Sequence, residues 1–334
     1  MSGVSKIQQE LFSLIKANAA PHSSIIEEIA RVLNISTDRV YRRMRGEKEI
    51  SLDELQALCA HYNISVDRVL NLRPDGFVFQ GNFIDDGSFS FDKYVESMVD
   101  NLTYFNKFQQ KDFYGTYKDI PNFYHFQFRE IAAFKDFVWQ RNVLHLPEFK
   151  NKRFSFAGHP AERFAKEEKA LDLYNRMNNI EIWSLETINS MIRQIEYFKD
   201  SLLFESIEDA YRLYGAVEKL INHIEEQAAV GYKFKYGDPA RKPLGEYSLY
   251  INEMQIGGNE YLLILDGKKI AVIVHSAINY MMTRNVAFTE NMYKSMQSFI
   301  KRSTLVSGVS EKERSRFFRI LREKISRKKQ ALLL

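Results

Sequence analysis

Arg39, Arg42, Arg43 and Arg45 crowd into the ten residues from Ser36 to Arg45, with Lys48 just beyond. Guanidinium groups at this density suit two-point contacts with phosphate oxygens or with the edge of a guanine. Helical spacing turns Val40 inward with Met44 beside it, and leaves Thr37, Asp38, Tyr41, Arg42 and Arg45 on an outer face. A short helix with a basic outer face, set after a tight turn on another helix, is the geometry that enters a DNA major groove.

The surrounding residues supply the frame for such a helix. Four short helical patterns follow one another between residues 24 and 71, each opened by a serine. Ser24/Glu27 and Ser51/Glu54 have capping-box spacing, and Ser36 and Ser65 are single N-cap candidates. Ile25, Ile26, Ile29, Ala30 and Leu33 recur at helical intervals and are expected to face a core, with Ala30 small enough for a close helix crossing. Asn34 falls where the chain needs a positive φ, and Asn is the usual substitute for Gly there. Gly46 reads as the stop after the basic helix. Leu52, Leu55 and Leu58, then Val66, Val69 and Leu70, are expected to close a small bundle around buried Cys59.

Ile29-Ala30, Asn34-Ile35-Ser36, Val40, Gly46, and the runs Ser51-Leu52-Asp53-Glu54-Leu55 and Ile64-Ser65-Val66-Asp67 resemble the phage-repressor-like (Xre) helix-turn-helix family of transcriptional regulators. The resemblance covers roughly the first fifth of the chain. It implies that Thr37, Asp38, Tyr41 and Arg42 face base edges, while Arg39, Arg43, Arg45 and Lys48 meet phosphates, Arg39 also being within reach of a guanine. Ile26 stands where the family often has a phosphate-binding Gln, and Met44 where it often has Glu. The other reading of an arginine-bearing helical hairpin is a protein-binding module, since acidic and basic side chains balance over the first 72 residues.

At 334 residues the chain is too long for a lone DNA-binding bundle. Residues 1–72 are taken as the head, 73–90 as a linker, and 91–330 as a regulatory and dimerisation region with a sub-boundary near 147–159. Arg73-Pro74-Asp75-Gly76 and Asp85-Asp86-Gly87-Ser88 are turn signatures, and Phe77–Phe83 between them is apolar enough to dock. One cysteine excludes an internal disulfide framework. No apolar run approaches the ~20 residues of a membrane span and no secretory leader is evident, so a cytoplasmic protein without membrane attachment is expected.

Beyond the linker the expected plan is mostly α. Helices are expected over 91–110, 160–178, 184–200, 206–229, 287–302 and 310–329, the last opened by a Ser310/Glu313 capping box. Phe113–Tyr117 reads as extended, and 123–146 as a strand or helix start running into a long helix. The aromatics of 91–146 form either a core or a pocket for a flat ligand. Residues 245–275 read as a three-stranded antiparallel meander with turns at Gly257-Gly258-Asn259 and Asp266-Gly267. The fold expected is therefore an N-terminal helix-turn-helix bundle, a helical middle and an α+β C-terminal part. In 206–229, Ala210, Val217 and Ile224 recur seven apart beside Tyr214, Ile221 and Ala228. That seam either packs inside the monomer or joins two copies. The basic residues of 310–329 are either phosphate or partner contacts or the solvated face of a docked helix.

No phosphate-cradling loop, zinc-binding His-Glu-x-x-His or Gly-x-Ser-x-Gly elbow occurs, and the seven histidines are scattered. No catalytic, metal or cofactor site is expected. The reading is a sequence-specific regulator that binds double-stranded DNA as a homodimer and leaves room for a small-molecule or protein effector. An interaction or defence-associated protein, and an enzyme with an unrecognised site in 91–330, are the alternatives.

Overall fold

A computed structural model of the chain describes residues 5–18, 24–70, 72, 76–81, 90–254, 258–274 and 279–332, in two compact units, 1–79 and 80–334. Most of the expected linker lies outside the described residues, apart from 72, 76–81 and 90.

The first unit holds five helices: α1 (Lys6–Asn18), α2 (Ile25–Leu33), α3 (Thr37–Met44), α4 (Leu52–His61) and α5 (Val66–Leu70). Its core joins Leu11, Phe12, Leu14 and Ile15 of α1 to Ile29, Val40, Leu58, Cys59 and Val69. The four patterns read between 24 and 71 are present, but α1 was missed. Two apolar residues placed in this bundle point outward instead: Leu52 is 83% exposed and Val66 39%. Each is the first residue of its helix, before the turn whose side chains reach the core.

The second unit is built on one eight-stranded mixed sheet in the order β1-β7-β6-β5-β2-β3-β4-β8. The strands are β1 (Gln80–Gly81), β2 (Lys111–Thr116), β3 (Asn178–Trp183), β4 (Tyr247–Ile251), β5 (Glu260–Leu265), β6 (Lys268–Val274), β7 (Tyr280–Thr283) and β8 (Thr304–Leu305). β2, β3 and β4 run parallel; every other pairing is antiparallel. The helices are α6 (Phe91–Phe105), α7 (Asn122–His125), α8 (Arg129–Val138), α9 (Ala161–Asn175), α10 (Asn189–Asp200), α11 (Ile207–Val230), α12 (Val286–Lys301) and α13 (Glu311–Gln330). A π-helical turn, Trp139–Val143, continues α8. Among the described residues no helix is long and apolar enough to cross a membrane.

The expected three-stranded meander is therefore corrected. Asp266-Gly267 does form the tight turn joining β5 to β6, with φ of 45° and 80°. β4, however, lies three places from β5, because β2 and β3 insert between them, and it pairs in parallel with β3. The actual meander is β5-β6-β7. Gly257 lies outside the described residues, and Gly258-Asn259 do not join neighbouring strands. The continuous apolar run Leu262–Leu265 has a physical cause: Leu263 and Leu265 face the main core, while Leu262 and Ile264 pack under Met292 and Met296 of α12.

The heptad seam of α11 is core of its own chain. Ala210, Tyr214, Val217, Ile221, Ile224 and Ala228 are all fully buried without a second copy. α13 lies alongside, contributing Phe317, Phe318, Leu321 and Ile325 to the same core. Its polar edge is tied down by Lys329–Glu218, Lys328–Glu196 and Arg322–Glu225 ion pairs. The Ser310/Glu313 capping box does not form: Ser310 adopts a left-handed conformation, φ 54°, and makes no side-chain cap.

Candidate nucleic-acid interface

α2 and α3 meet through a turn fixed by local chemistry. Asn34 takes φ 52° and ψ 47°, and the Ile35 N–H closes onto the Ala30 carbonyl at 2.9 Å, so the chain reverses within Asn34-Ile35-Ser36. Ile29 and Val40 are fully buried on either side of this turn. Removing the apolar surface of two such side chains from water contributes about 1.5–3 kcal/mol each, which sets the crossing of the two helices. Ser36 precedes α3 in extended conformation but makes no side-chain cap; Ser51 and Glu54 form the full reciprocal box at α4.

Seven of the eight predicted contact residues, Thr37, Asp38, Arg39, Tyr41, Arg42, Arg45 and Lys48, are exposed. Tyr41, large and 48% exposed, stands out among them. Arg43 is the exception and is corrected: it is 8% exposed and turned inward. Its Nε and Nη2 donate to the two oxygens of Glu54 at 3.0 and 2.6 Å, and Nη1 donates to the Arg39 carbonyl at 3.2 Å. One carboxylate thus receives α3's guanidinium and, at 3.2 Å, the Ser51 N–H that opens α4. Arg43 lies one position before Met44 on a helix whose inner side includes Val40, three residues back, which carries it toward α4.

Two further residues shape the site without having been foreseen. Gln8 of α1 is 7% exposed and brackets the end of α3. Its amide nitrogen donates to the carbonyls of Arg43 and Lys48 at 2.7 and 2.9 Å, and its oxygen accepts from the Ile50 N–H at 3.2 Å. The signal for α1 was present in Leu11, Leu14 and Ile15, three and four residues apart. Glu47 accepts two hydrogen bonds from Arg45, at 2.6 and 3.2 Å, and lies 3.7 Å from Arg42. Arg45 holds the Glu47 carboxyl below the usual carboxylate range. The outer face therefore carries its own acidic counterweight, which phosphate oxygens would have to displace.

The histidines do not converge. His159 sits between Asp136 and Glu167, His223 bonds Gln227, and His125 is buried with neither ring nitrogen hydrogen-bonded to any described residue. His275 lies outside the described residues.

Residues 24–69 match the helix-turn-helix family. The N-terminal part of this chain is thus a helix-turn-helix domain of the phage-repressor-like kind, the class found in DNA-binding regulators. No curated protein and no solved structure matches the chain.

Proposed function

We propose that this chain is a cytoplasmic, sequence-specific transcriptional regulator that binds duplex DNA as a homodimer through α3, with the second unit responding to an effector. The observation that carries the reading is the row Thr37, Asp38, Tyr41 and Arg42, exposed on a helix whose opposite side is locked by Val40 and Arg43. A rigid backing lets short side chains address base edges, while Arg39, Arg45 and Lys48 at the margins position the helix through phosphates. Arg43 holds the helix rather than the DNA. A dimer follows from reading length: one short helix spans too few base pairs for useful discrimination, and two heads on a two-fold axis read half-sites about 34 Å apart. The covered α11 seam means that the dimer contact lies elsewhere than on that stripe.

The test is selection of bound duplexes from a random pool, followed by anisotropy titration across salt concentrations. The expected outcome is an inverted repeat. Arg42→Ala should weaken binding to it and lower the salt slope by roughly 0.9 if the side chain meets a phosphate, or relax preference at one base pair if it meets a base edge. Binding that Arg42→Ala leaves unaltered in affinity, slope and preference refutes the assignment of this face.

A further inference from the structure

Between the sheet and its covering helices, the second unit encloses a cavity of about 480 Å³. Strands β2, β5, β6 and β7 form one wall through Phe113, Tyr261, Leu263, Val272 and Met282; α6, α7 and α8 with its π turn form another. This is the size and aromatic lining of sites that take a flat small molecule, and every element contributing to it belongs to the second unit.

Two buried polar groups line the cavity. His125 is 2% exposed, and neither Nδ1 nor Nε2 has a hydrogen-bond partner among the described residues. Burial, with the Lys135 charge nearby, pushes its pKa well below the ordinary histidine value, so the ring is neutral and offers one donor and one acceptor. Buried polar nitrogens are nearly always satisfied, so two on one ring mark a place where a partner belongs. Lys135, also 2% exposed, is by contrast already engaged: its ammonium donates to Gln194 at 2.9 Å and lies 3.5 Å from an Asp119 oxygen. Asp119 lines the same cavity, so the positive and negative charges there offset each other.

From this geometry we infer that the cavity binds an uncharged, flat, largely apolar molecule whose hydroxyl or carbonyl group meets the imidazole of His125. An ionised ligand would enter an enclosed site where the one buried cation is already compensated and would be poorly solvated. A purely hydrocarbon ligand would leave the ring nitrogens unpartnered. The inference stands on the second unit alone; it gives the proposed effector a site and a chemical class.

The experiment uses the full chain and N-phenyl-1-naphthylamine, a neutral probe that brightens in apolar surroundings. Saturable binding of one probe per chain is expected. 1-Naphthol should displace it roughly tenfold better than 1-methylnaphthalene, the size of one buried hydrogen bond, and 1-naphthoate should compete least. His125→Phe should keep probe binding and lose the preference for the hydroxyl. Should His125→Phe fail to fold by circular dichroism, Met98→Trp on the α6 wall serves instead and should abolish probe binding by filling the space. Absent or non-saturable binding, a hydroxyl preference that survives His125→Phe, or undiminished binding in Met98→Trp overturns the inference. No DNA enters this readout, so the cavity and the DNA-reading face stand or fall separately.

Discussion

The Arg43 guanidinium meets the Glu54 carboxylate at two points, Nε to Oε2 at 3.0 Å and Nη2 to Oε1 at 2.6 Å, and so fastens α3 to the first turn of α4. An arginine in the middle of a basic run is thereby a structural residue, and its mutation separates stability from recognition. Arg43→Ala should destabilise the head by about 1–3 kcal/mol, since it leaves a half-buried carboxylate with only the Ser51 N–H and solvent. Arg43 lowers the pKa of Glu54 below its unfolded value, so this stabilisation is present above the ordinary glutamate range and is lost as pH falls through the depressed value. Thermal unfolding of the head followed between pH 7 and pH 3 should show a steep acid limb that Glu54→Gln flattens. Equal limbs in the two proteins would remove the pair from the account.

Glu47 gives a prediction of opposite sign. It neutralises Arg45 and sits near Arg42 at an exposed face, where an ion pair contributes little to stability. Glu47→Gln should therefore leave the melting temperature unchanged while tightening DNA binding by roughly two- to fivefold at low salt, the gain shrinking as salt rises. Anisotropy titration decides it, and weaker binding by the variant would mean that Glu47 orders Arg45 for contact.

His159 should make the second unit alkali-sensitive. Burial opposes its charged form, but hydrogen bonds to Asp136 and Glu167 outweigh it and raise the pKa to about 9. The folded value lies above the unfolded one, near 6.5, so the stabilisation is complete below pH 6.5 and disappears as pH climbs through about 9. Both tryptophans, Trp139 and Trp183, belong to this unit, and their fluorescence in urea reports it alone. Unfolding midpoints should fall between pH 6.5 and 9, and His159→Gln should lose most of that fall.

Glu181 anchors the centre of the sheet. It is fully buried on β3 and accepts from Tyr124 and Tyr174 at 2.6 and 2.7 Å on one oxygen, and from Trp183 and Tyr247 at 2.9 and 3.1 Å on the other. Burial raises its pKa to about 8 despite these donors, and the buried Lys233 ammonium lies 3.5 Å away. Glu181→Leu strands four buried donors and should cost on the order of 3–5 kcal/mol. Lys233→Met, which leaves those four bonds in place, should cost less. The reverse ranking in urea titrations would show that the charge pair, not the donor array, matters.

The head was legible because its information is local. Serine caps, the left-handed Asn34, Gly46 and the three- and four-residue spacing of Ile29, Leu33 and Val40 act within a turn or two of chain, and each alone restricts the backbone. The Asp266-Gly267 turn was legible for the same reason, as were most helices of the second unit. What escaped was settled by distant partners. β3, Asn178–Trp183, reads as polar, because Glu181 interrupts its apolar pattern; only the ring of tyrosines gathered from α7, α9 and β4 makes a carboxylate tolerable there. Once β3 exists, β4 pairs with it and the expected meander cannot form. Arg43 and Arg42 are neighbours of one type in one helix, yet one is buried and the other exposed, because Glu54 waits on α4 for the first. Sequence by itself determined which short segments turn, cap and stop, since those depend on a few adjacent dihedral angles. Tertiary structure alone decided which charges are spent inside, where the sheet is ordered, and that His125 faces a cavity with its hydrogen bonds unmade, since those depend on what distant segments bring into contact.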